Sequence, residues 1–241
     1  VFVDSIDAPK ACLIAHPYGM SLLIGDPCNS EFNDWLRWYF LDIGRDRREE
    51  EWLQVWPDQW NNTIGDLLGN QLVLAADSDE GNMSDQVVQY TRINFRFNKD
   101  RYMEHRDDPT RHGLSYGTVD QSLFDQFPGS VLPRYFWNNW DDFFRSSVGF
   151  TLEKGGEALS LSFASFWHDH QLEIGVETKQ EYRQKGYARF ACMALIDYCL
   201  DKGLEPIWSC RLQNTGSYKL AESLGFEPSL VLPYYKLVCW S

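Results

Sequence analysis

A basic turn between residues 179 and 189 has the residue types of an anion-binding site. Four cations fall within eleven residues of a chain whose formal net charge is −13: Lys179, Arg183, Lys185 and Arg189. Such a local group of cations on an acidic protein indicates a specific anionic ligand. Gly186 would let the backbone approach that ligand closely, and the unpaired amides at the start of a following helix would bind it.

The segments on either side of this turn predict a strand and a helix that position it. The residues from 172 to 177 alternate, with Leu172, Ile174 and Val176 on one face and Glu173, Gly175 and Glu177 on the other. Apolar residues then recur at helical spacing from Ala188 to Leu200, and Gly203 lies where this helix would end.

Two motifs in this region resemble those of a known family. The segment from Arg183 to Ala188 fits the Arg/Gln-x-x-Gly-x-Gly/Ala signature of the GNAT (GCN5-related) N-acetyltransferases. Downstream, residues 206–210 read as a strand, and residues 214–226 resemble the family's next helix with its Leu-Gly-Phe exit. Three further segments most resemble the subgroup that includes zwittermicin-type antibiotic resistance acetyltransferases. They are Glu177-Thr178, Pro206-x-Trp208 and Leu220-Ala221.

The resemblance implies an α/β protein with the GNAT acyltransferase fold, in which helices flank a mixed, mostly antiparallel central sheet. We expect this acetyltransferase domain over residues 98–241 and an additional N-terminal α/β lobe of unknown role over residues 1–97. The predicted order of elements in that lobe is hairpin, turn, helix, strand, helix and strand, as in the second half of a GNAT fold. The lobe is therefore either a degenerate copy of the same fold or an unrelated α/β unit.

Several elements are expected along the chain before the basic turn. In the lobe, residues 11–15 and 20–24 predict a hairpin, 31–41 a helix with Ser30 as its N-cap, 52–56 a strand, 58–68 a helix and 87–97 a strand. The charged run 45–51 and the polar run 77–86 read as solvated loops. Residues 101–115 read as a connector, 120–127 and 137–146 as helices, and 149–153 with 158–166 as a hairpin.

The resemblance also assigns residues to acetyl-CoA, the family's acyl donor and cosubstrate. Val176 and Thr178 would offer backbone groups to the pantetheine arm. The pyrophosphate would lie on the turn made of Arg183, Gln184, Lys185, Gly186, Tyr187 and Ala188. Asn214 and Ser217 would meet the cofactor arm, although either could instead cap the next helix.

N-acetylation requires a group that removes a proton from the acceptor amine. An alkylammonium with a pKa of about 10.4 is only about one part in a thousand neutral at pH 7, so a base or a desolvating pocket must assist. Glu173 and Glu177 are the candidate bases, and each could equally be a solvated or salt-bridged carboxylate. Many GNAT enzymes carry a tyrosine acid where this chain has Ala221, which leaves Tyr218 or water as the candidate acid.

The predicted function is transfer of an acetyl group from acetyl-CoA to a primary amine of a small molecule, by direct attack on the thioester. An antibiotic or an amino metabolite is the expected acceptor. The alternative is a non-catalytic acyl-CoA-binding sensor or interaction module, which would explain the missing tyrosine and the extra lobe.

Composition limits the classes of partner and the cellular compartment that we expect for this protein. A pI near 4.7 argues against nucleic acid and anionic membranes, which need a basic face. No apolar run is long enough to span a bilayer. The six cysteines lack a C-x-x-C pair or zinc spacing, so we expect free thiols in the cytoplasm and no metal. His168-Asp169-His170 could bind a metal or relay a proton, but reads more simply as the end of a hairpin. A monomer and a homodimer are both compatible with the sequence.

Overall fold

A computed structural model describes residues 1–75 and 85–239. The chain divides into two compact units. Unit 1 comprises Val1–Arg92, Arg211–Gln213 and Val231–Ser241, and unit 2 comprises Ile93–Cys210 and Asn214–Leu230. The predicted boundary after residue 97 lies close to the first of these breaks, but the end of the chain returns to unit 1. The expected loop 77–86 lies, except for its last two residues, outside the described part of the chain.

Unit 1 is a sheet covered by two helices. Its elements are β1 (Phe2–Val3), β2 (Ala11–His16), β3 (Met20–Gly25), α1 (Ser30–Phe40), β4 (Trp52–Trp56), α2 (Gln59–Leu68), β5 (Leu72–Leu74) and parts of β6 (Val87–Phe97) and β12 (Phe226–Lys236). The strand order is β1-β2-β3-β4-β12-β6, with β5 beside β6. The predicted hairpin is the antiparallel pair β2 and β3, and β3 then pairs with β4 in parallel.

Helix α1 begins one residue earlier than the sequence predicts. Ser30 is already helical, and the side chain of Asn29 accepts the cap hydrogen bond from the amide of Phe32. Asn29 has the extended backbone that an N-cap needs, so the prediction of Ser30 as the cap is wrong. Helical periodicity then buries Phe32, Leu36 and Phe40 of α1 in the core of unit 1, where they join Trp60 and Ile64 of α2.

The charged run 45–51 is not simply a solvated loop. The Arg47 guanidinium pairs with Glu51 at 2.8 Å, and the two side chains are only 9% and 12% exposed. Arg47 also donates to the carbonyls of Tyr39 and Val238. Glu51 in turn accepts from the hydroxyls of Tyr39 and Ser21. Charge composition alone predicted solvent exposure, whereas mutual pairing allows these two charges to be buried.

Unit 2 is the larger of the two, and helices connect β10 to β11 and β11 to β12. Its elements are part of β6, α3 (Lys99–His105), β7 (Ser115–Thr118), α4 (Gln121–Gln126), α5 (Pro133–Phe136), α6 (Trp140–Ser146), β8 (Gly149–Lys154), β9 (Glu157–His168), β10 (Gln171–Thr178), α7 (Tyr187–Lys202), β11 (Glu205–Arg211), α8 (Thr215–Ser223) and part of β12. Strands β7 to β10 form an antiparallel series, and β11 joins β10 in parallel. The predicted mixed, mostly antiparallel sheet with flanking helices is confirmed.

Two segments of unit 2 are more structured than their composition indicates. Residues 101–115, predicted as a connector, contain most of α3, a 3-10 helix at Pro109–His112 and the first residue of β7. The helix predicted over 137–146 starts only at Trp140, capped by the side chain of Asn139, and the short α5 precedes it. Local capping groups therefore set these boundaries, and hydrophobic spacing alone did not reveal them.

Both units repeat one order of elements. In unit 1 the order β2, β3, α1, β4, α2 leads to β6, and in unit 2 the order β9, β10, α7, β11, α8 leads to β12. In each unit one strand lies between the last strand of this order and the parallel strand before it. β12 separates β4 from β6, and β6 separates β11 from β12. This is the order that a degenerate copy of the fold requires. Common descent of the two halves stays a prediction.

Candidate functional site

The backbone at the start of α7, where the predicted turn ends, has no side-chain cap and open space around it. The helix begins at Tyr187, directly after Gly186, which has a left-handed backbone with φ 79° and no side chain to cap the helix. A Cβ added to Gly186 would meet no atom within 4 Å. The first amides of a helix lack i−4 partners. The amide of Arg189 donates to the Gly186 carbonyl, which leaves those of Tyr187 and Ala188 to bind an anion in front of the helix.

The turn before α7 contains a second left-handed residue. Gln184 has φ 61°, a backbone conformation that is uncommon for residues other than glycine. Left-handed residues within a turn bring successive N–H groups onto one concave side, an arrangement that binds anions. Residues 183–186 are all exposed, so a ligand can reach this concave side.

The four cations of the turn have different partners. Arg183 donates to the Glu177 carboxylate and to the carbonyl of Thr178, while half of its side chain stays exposed. Lys185 reaches back to the carbonyl of Glu181. The remaining two cations have partners outside the turn. Lys179 pairs with Glu157 at 2.8 Å, and Arg189 donates to the carbonyl of His105. Arg183 and Lys185 are therefore the two cations of the turn whose hydrogen-bond partners lie within residues 177–181.

Strands β10 and β11 are paired over only a short length. Their partners run from Gln171 with Glu205 to Glu173 with Ile207. Both strands continue beyond this point, to Thr178 and Arg211, and residues 171–211 are all described. The parallel pairing therefore ends after the third of the eight residues of β10, and the unpaired part of the strand leads to the basic turn. Backbone groups of β10 beyond Glu173 thus lack β11 as a partner.

Glu173 lies where the two strands part. Its Oε1 accepts a hydrogen bond of 2.7 Å from the Ser209 hydroxyl on β11. The side chain of Glu173 is partly buried, and Leu172 on the opposite face belongs to the core under α7. Sequence reasoning missed Ser209. The only signal for it was its position, two residues after Ile207 and therefore on the same face of β11 as Ile207.

Glu177 has a different environment, although it shares a strand face with Glu173. Its Oε2 accepts from the amides of Ser130 and Val131 at 2.8 and 3.1 Å, and its Oε1 accepts from Arg183 at 3.0 Å. Glu177 is 7% exposed. A buried carboxylate with this many donors has its hydrogen-bonding capacity engaged and anchors the loop that contains Ser130 and Val131.

The loop that Glu177 anchors approaches it closely at Gly129. A Cβ added to Gly129 would lie 2.3 to 2.5 Å from three atoms of the Glu177 side chain. Gly129 also has φ 141°, a backbone conformation that residues with a side chain rarely adopt. Only glycine fits at this position, and no pattern in the sequence indicated the contact.

Of the two strand residues assigned to the pantetheine arm, Val176 has the more open position. The amide of Thr178 donates to Glu177 Oε1, and its carbonyl accepts from Arg183. The Thr178 hydroxyl pairs with that of Ser160 at 2.8 Å. Val176 lies beyond the last residue of β10 that pairs with β11, and its side chain packs beside the core under α7.

Asn214 and Ser217 act at the start of α8. The Asn214 side chain accepts from the amide of Ser217 at 3.1 Å, which is the N-cap geometry left open by the sequence. The Ser217 hydroxyl accepts from the indole of Trp208 at 3.2 Å. Both side chains therefore have structural partners within unit 2.

The candidate acid Tyr218 packs against a core aromatic. Its ring meets that of Phe95 edge to face at 5.4 Å between centroids. Ala221, at the position where many GNAT enzymes carry tyrosine, is completely buried among the core residues of unit 2. A larger side chain at position 221 would have to displace that core.

The structure adds three observations on the remaining predictions. His168 is the last residue of β9, and Asp169 and His170 form the turn to β10, with Asp169 in a left-handed conformation. Among residues 1–75 and 85–239, no group of His, Cys, Asp and Glu side chains is arranged to hold a metal ion. Within the same residues, none of the helices combines the length and the apolar character needed to cross a membrane.

Comparison with known proteins agrees with this geometry. The family model described as GNAT acetyltransferase matches residues 1–235. An uncharacterized N-acetyltransferase of Bacillus subtilis (strain 168), YdfB, is 23% identical over 229 residues, which cover 94% of this chain and 81% of that protein.

Solved structures share the fold. A GCN5-related N-acetyltransferase-like protein from Streptococcus suis 89/1591 superposes with a TM-score of 0.69 at 20% identity, over 98% of this chain and 87% of that one. A GCN5-related N-acetyltransferase from Kribbella flavida superposes with a TM-score of 0.57 at 11% identity, over 98% and 89%. Since the family model covers nearly the whole sequence, this chain belongs to the GNAT acetyltransferase family and is an acyltransferase.

Proposed function

We propose that this chain transfers the acetyl group of acetyl-CoA to a primary amine of a small molecule, by direct attack of the amine on the thioester. The observation that carries the proposal is the combination of an open α7 start at Gly186 with strands β10 and β11 that part after Glu173. The first feature offers an anion site, and the second offers backbone groups to an extended ligand.

The residues at this site fit a CoA molecule. Its pyrophosphate would lie on the amides of Gly186, Tyr187 and Ala188, with Arg183 and Lys185 supplying positive charge at the edge of the turn. The Gln184 backbone helps to form the turn. Val176 is our preferred residue for the pantetheine arm, because the backbone groups of Thr178 already have partners.

Glu173 is the base that the geometry favours. Transfer forms a bond between the amine nitrogen and the acetyl carbon, breaks the bond from that carbon to sulfur, and moves the amine proton to a base. The Glu173 carboxylate lies where the strands part and accepts a hydrogen bond from the Ser209 hydroxyl, whereas Glu177 is buried and accepts from two loop amides and from Arg183. A thiol with a pKa of about 8.5 leaves without a strong acid, so water or Tyr218 would suffice to protonate it.

The acceptor is proposed from charge and resemblance. A chain with a net charge of −13 attracts cationic amines at long range. The motifs shared with the zwittermicin-type subgroup support an antibiotic or an amino metabolite. The proposal includes residues 98–241 as the acetyltransferase domain and residues 1–97 as an accessory lobe. It also includes the cytoplasm as the setting, where buried thiols such as Cys192 stay reduced.

The experiment is a CoA-release assay against a panel of primary amines, run beside calorimetry with acetyl-CoA. We expect saturable acetyl-CoA binding and release of CoA that depends on one class of amine. Initial rates at varied concentrations of both substrates should give intersecting lines, because direct attack requires a ternary complex. Parallel lines with a trapped acetyl-enzyme would contradict direct attack. Binding without turnover on any amine would contradict the proposed acceptor class.

A further inference from the structure

Three aromatic rings in unit 1 form a contiguous group on one face of its sheet. Trp52 of β4 stacks on Tyr234 of β12 at 5.0 Å and meets Tyr90 of β6 at 5.2 Å, between ring centroids. Tyr90 and Tyr234 are buried, and Trp52 is half-buried. The neighbouring residues Leu53 and Tyr235 belong to the core beneath α1 and α2, so the three rings lie on the opposite face. None of these rings is assigned to acetyl-CoA or to acetyl transfer.

The guanidinium of Arg211 lies over two of these rings. Its Cζ is 4.5 Å from the centroid of the Trp52 ring and 5.3 Å from that of the Tyr90 ring. Arg211 is the last residue of β11, and the amide of the next residue, Leu212, donates to the Thr91 carbonyl of β6 at 2.8 Å. This hydrogen bond fixes the backbone beside β6, and the rings then hold the side chain.

The N–H donors of this guanidinium have no acceptor within the described part of the chain. Across residues 1–75 and 85–239, the Arg211 guanidinium makes no hydrogen bond and no ion pair, and its contacts are with the two rings. Arginine carries several N–H donors in one plane, and a charged donor gains most from an ionised acceptor. Because Arg211 is half-buried and not enclosed, a ligand can reach these donors.

The other polar groups beside the rings have partners of their own or are neutral. Lys236 lies 5.7 Å from the centroid of one ring and pairs with Glu50, so these two charges cancel. Arg92 lies 5.4 Å from the centroid of the Tyr234 ring and is engaged in a further interaction. Burial raises the pKa of Tyr234 to about 12, against the charges of Arg92 and Arg211, so the phenol is neutral at physiological pH and does not balance Arg211.

We propose that the aromatic–arginine cluster, made of Trp52, Tyr90, Arg211 and Tyr234, binds a small organic carboxylate with an apolar body. The planar guanidinium matches a carboxylate, which accepts two parallel N–H donors. The half-buried indole of Trp52 gives the body of the ligand an apolar contact beside that ion pair. A single guanidinium suits a monoanion better than a phosphate group, which carries more than one negative charge at neutral pH. The inference does not depend on the proposed transferase activity.

The test uses benzoate and its neutral isostere, benzamide, as probes. Each is titrated by calorimetry into the full chain without acetyl-CoA. We expect saturable benzoate binding and at least about tenfold weaker binding of benzamide, because the amide loses the charge-assisted hydrogen bonds to the guanidinium. Equal affinities for the two probes, or no saturable binding of benzoate, would overturn the proposal. Inorganic phosphate that binds more tightly than benzoate would overturn the carboxylate as the ligand class.

Two variants and one control locate the site. Arg211→Met removes the charge and should weaken benzoate binding at least about tenfold, while the urea midpoint of unfolding stays near that of the unaltered chain. Arg211→Lys keeps the charge but not the planar fork and should bind benzoate with an intermediate affinity. Lys185→Met removes an exposed cation from the basic turn before α7 and should leave benzoate binding unchanged. Benzoate affinity that is unaltered in both Arg211 variants, or lowered as much in Lys185→Met as in Arg211→Met, would also overturn the proposal.

Discussion

The hydroxyl of Ser209 lies 2.7 Å from Oε1 of Glu173 and joins β11 to β10 just past their last paired residues. This hydrogen bond fixes the carboxylate at the point where the two strands begin to separate. The same geometry distinguishes Glu173 from Glu177, which accepts several hydrogen bonds in a buried position.

Glu173→Gln should lower kcat by roughly a hundredfold to ten-thousandfold, the usual contribution of a general base. The amide keeps the hydrogen bond to Ser209 but cannot take the proton, so the Kd for acetyl-CoA should stay unchanged. Steady-state assays and calorimetry measure the two quantities. Glu205→Gln, an exposed carboxylate at the start of β11, is the control and should retain full activity. A Glu173→Gln enzyme with unaltered kcat would exclude Glu173 as the base.

Gly186→Asp and Gly186→Asn form a matched pair at the start of α7. Both residues tolerate a left-handed backbone better than others do, and a new Cβ meets no atom there. The two variants differ in one negative charge, placed where the pyrophosphate is proposed to lie. The aspartate variant should bind acetyl-CoA at least about tenfold more weakly than the asparagine variant. Equal dissociation constants in calorimetry would place the pyrophosphate elsewhere.

Gly129→Ala should destabilise the protein by about 2–4 kcal/mol, which adds overpacking to backbone strain. Its Cβ would overlap the Glu177 side chain. Gly155→Ala is the control, because Gly155 also has a positive φ, of 59°, but open space around it. We expect a loss of only about 1 kcal/mol there, from strain alone. Urea unfolding measures both losses, and equal values would show that the contact with Glu177 carries no energy.

Arg47→Met should lower the free energy of unfolding by about 3–5 kcal/mol, because it leaves the Glu51 carboxylate buried without its partner. Lys236→Met provides the comparison, since Lys236 pairs with the largely exposed Glu50 and should cost no more than about 1 kcal/mol. Adding Glu51→Leu to Arg47→Met should recover part of the loss by removing the unpaired charge. Urea unfolding of the three variants tests this, and similar losses for Arg47→Met and Lys236→Met would contradict a buried pair.

Stability should fall at alkaline pH through Tyr234. Burial raises the pKa of this phenol from 10.0 to about 12, against the opposing charges of Arg92 and Arg211. The folded state therefore favours the protonated form. The stabilisation that the protonated phenol gives to the folded state is fully present below pH 10 and is lost as the pH rises towards 12. Tyr234→Phe should show a smaller loss of stability between these two values than the unaltered chain. The exposed Tyr135, changed to Phe, should follow the unaltered chain in the same urea series.

Sequence patterns predicted the elements that depend on neighbouring residues. The alternation of β10, the helical spacing of α7 and the glycines at its two ends are local, so the strand, the turn and the helix could be predicted together. The hairpin of β2 and β3 and the helix α2 followed in the same way. The prediction was wrong where two neighbouring residues could both serve as an N-cap, as with Asn29 and Ser30 at the start of α1.

The sequence by itself predicted the family, the glycine-containing turn before α7 and the strand that carries both glutamates, because short motifs and periodicity encode them. Only the tertiary structure showed that Glu173 and Glu177 have different surroundings. The amides of Ser130 and Val131 come from a loop more than forty residues earlier in the chain, and Ser209 comes from the next strand. A strand pattern shows which side chains share a face, but their partners depend on segments that folding brings together. The burial of Arg47 with Glu51 was decided in the same way.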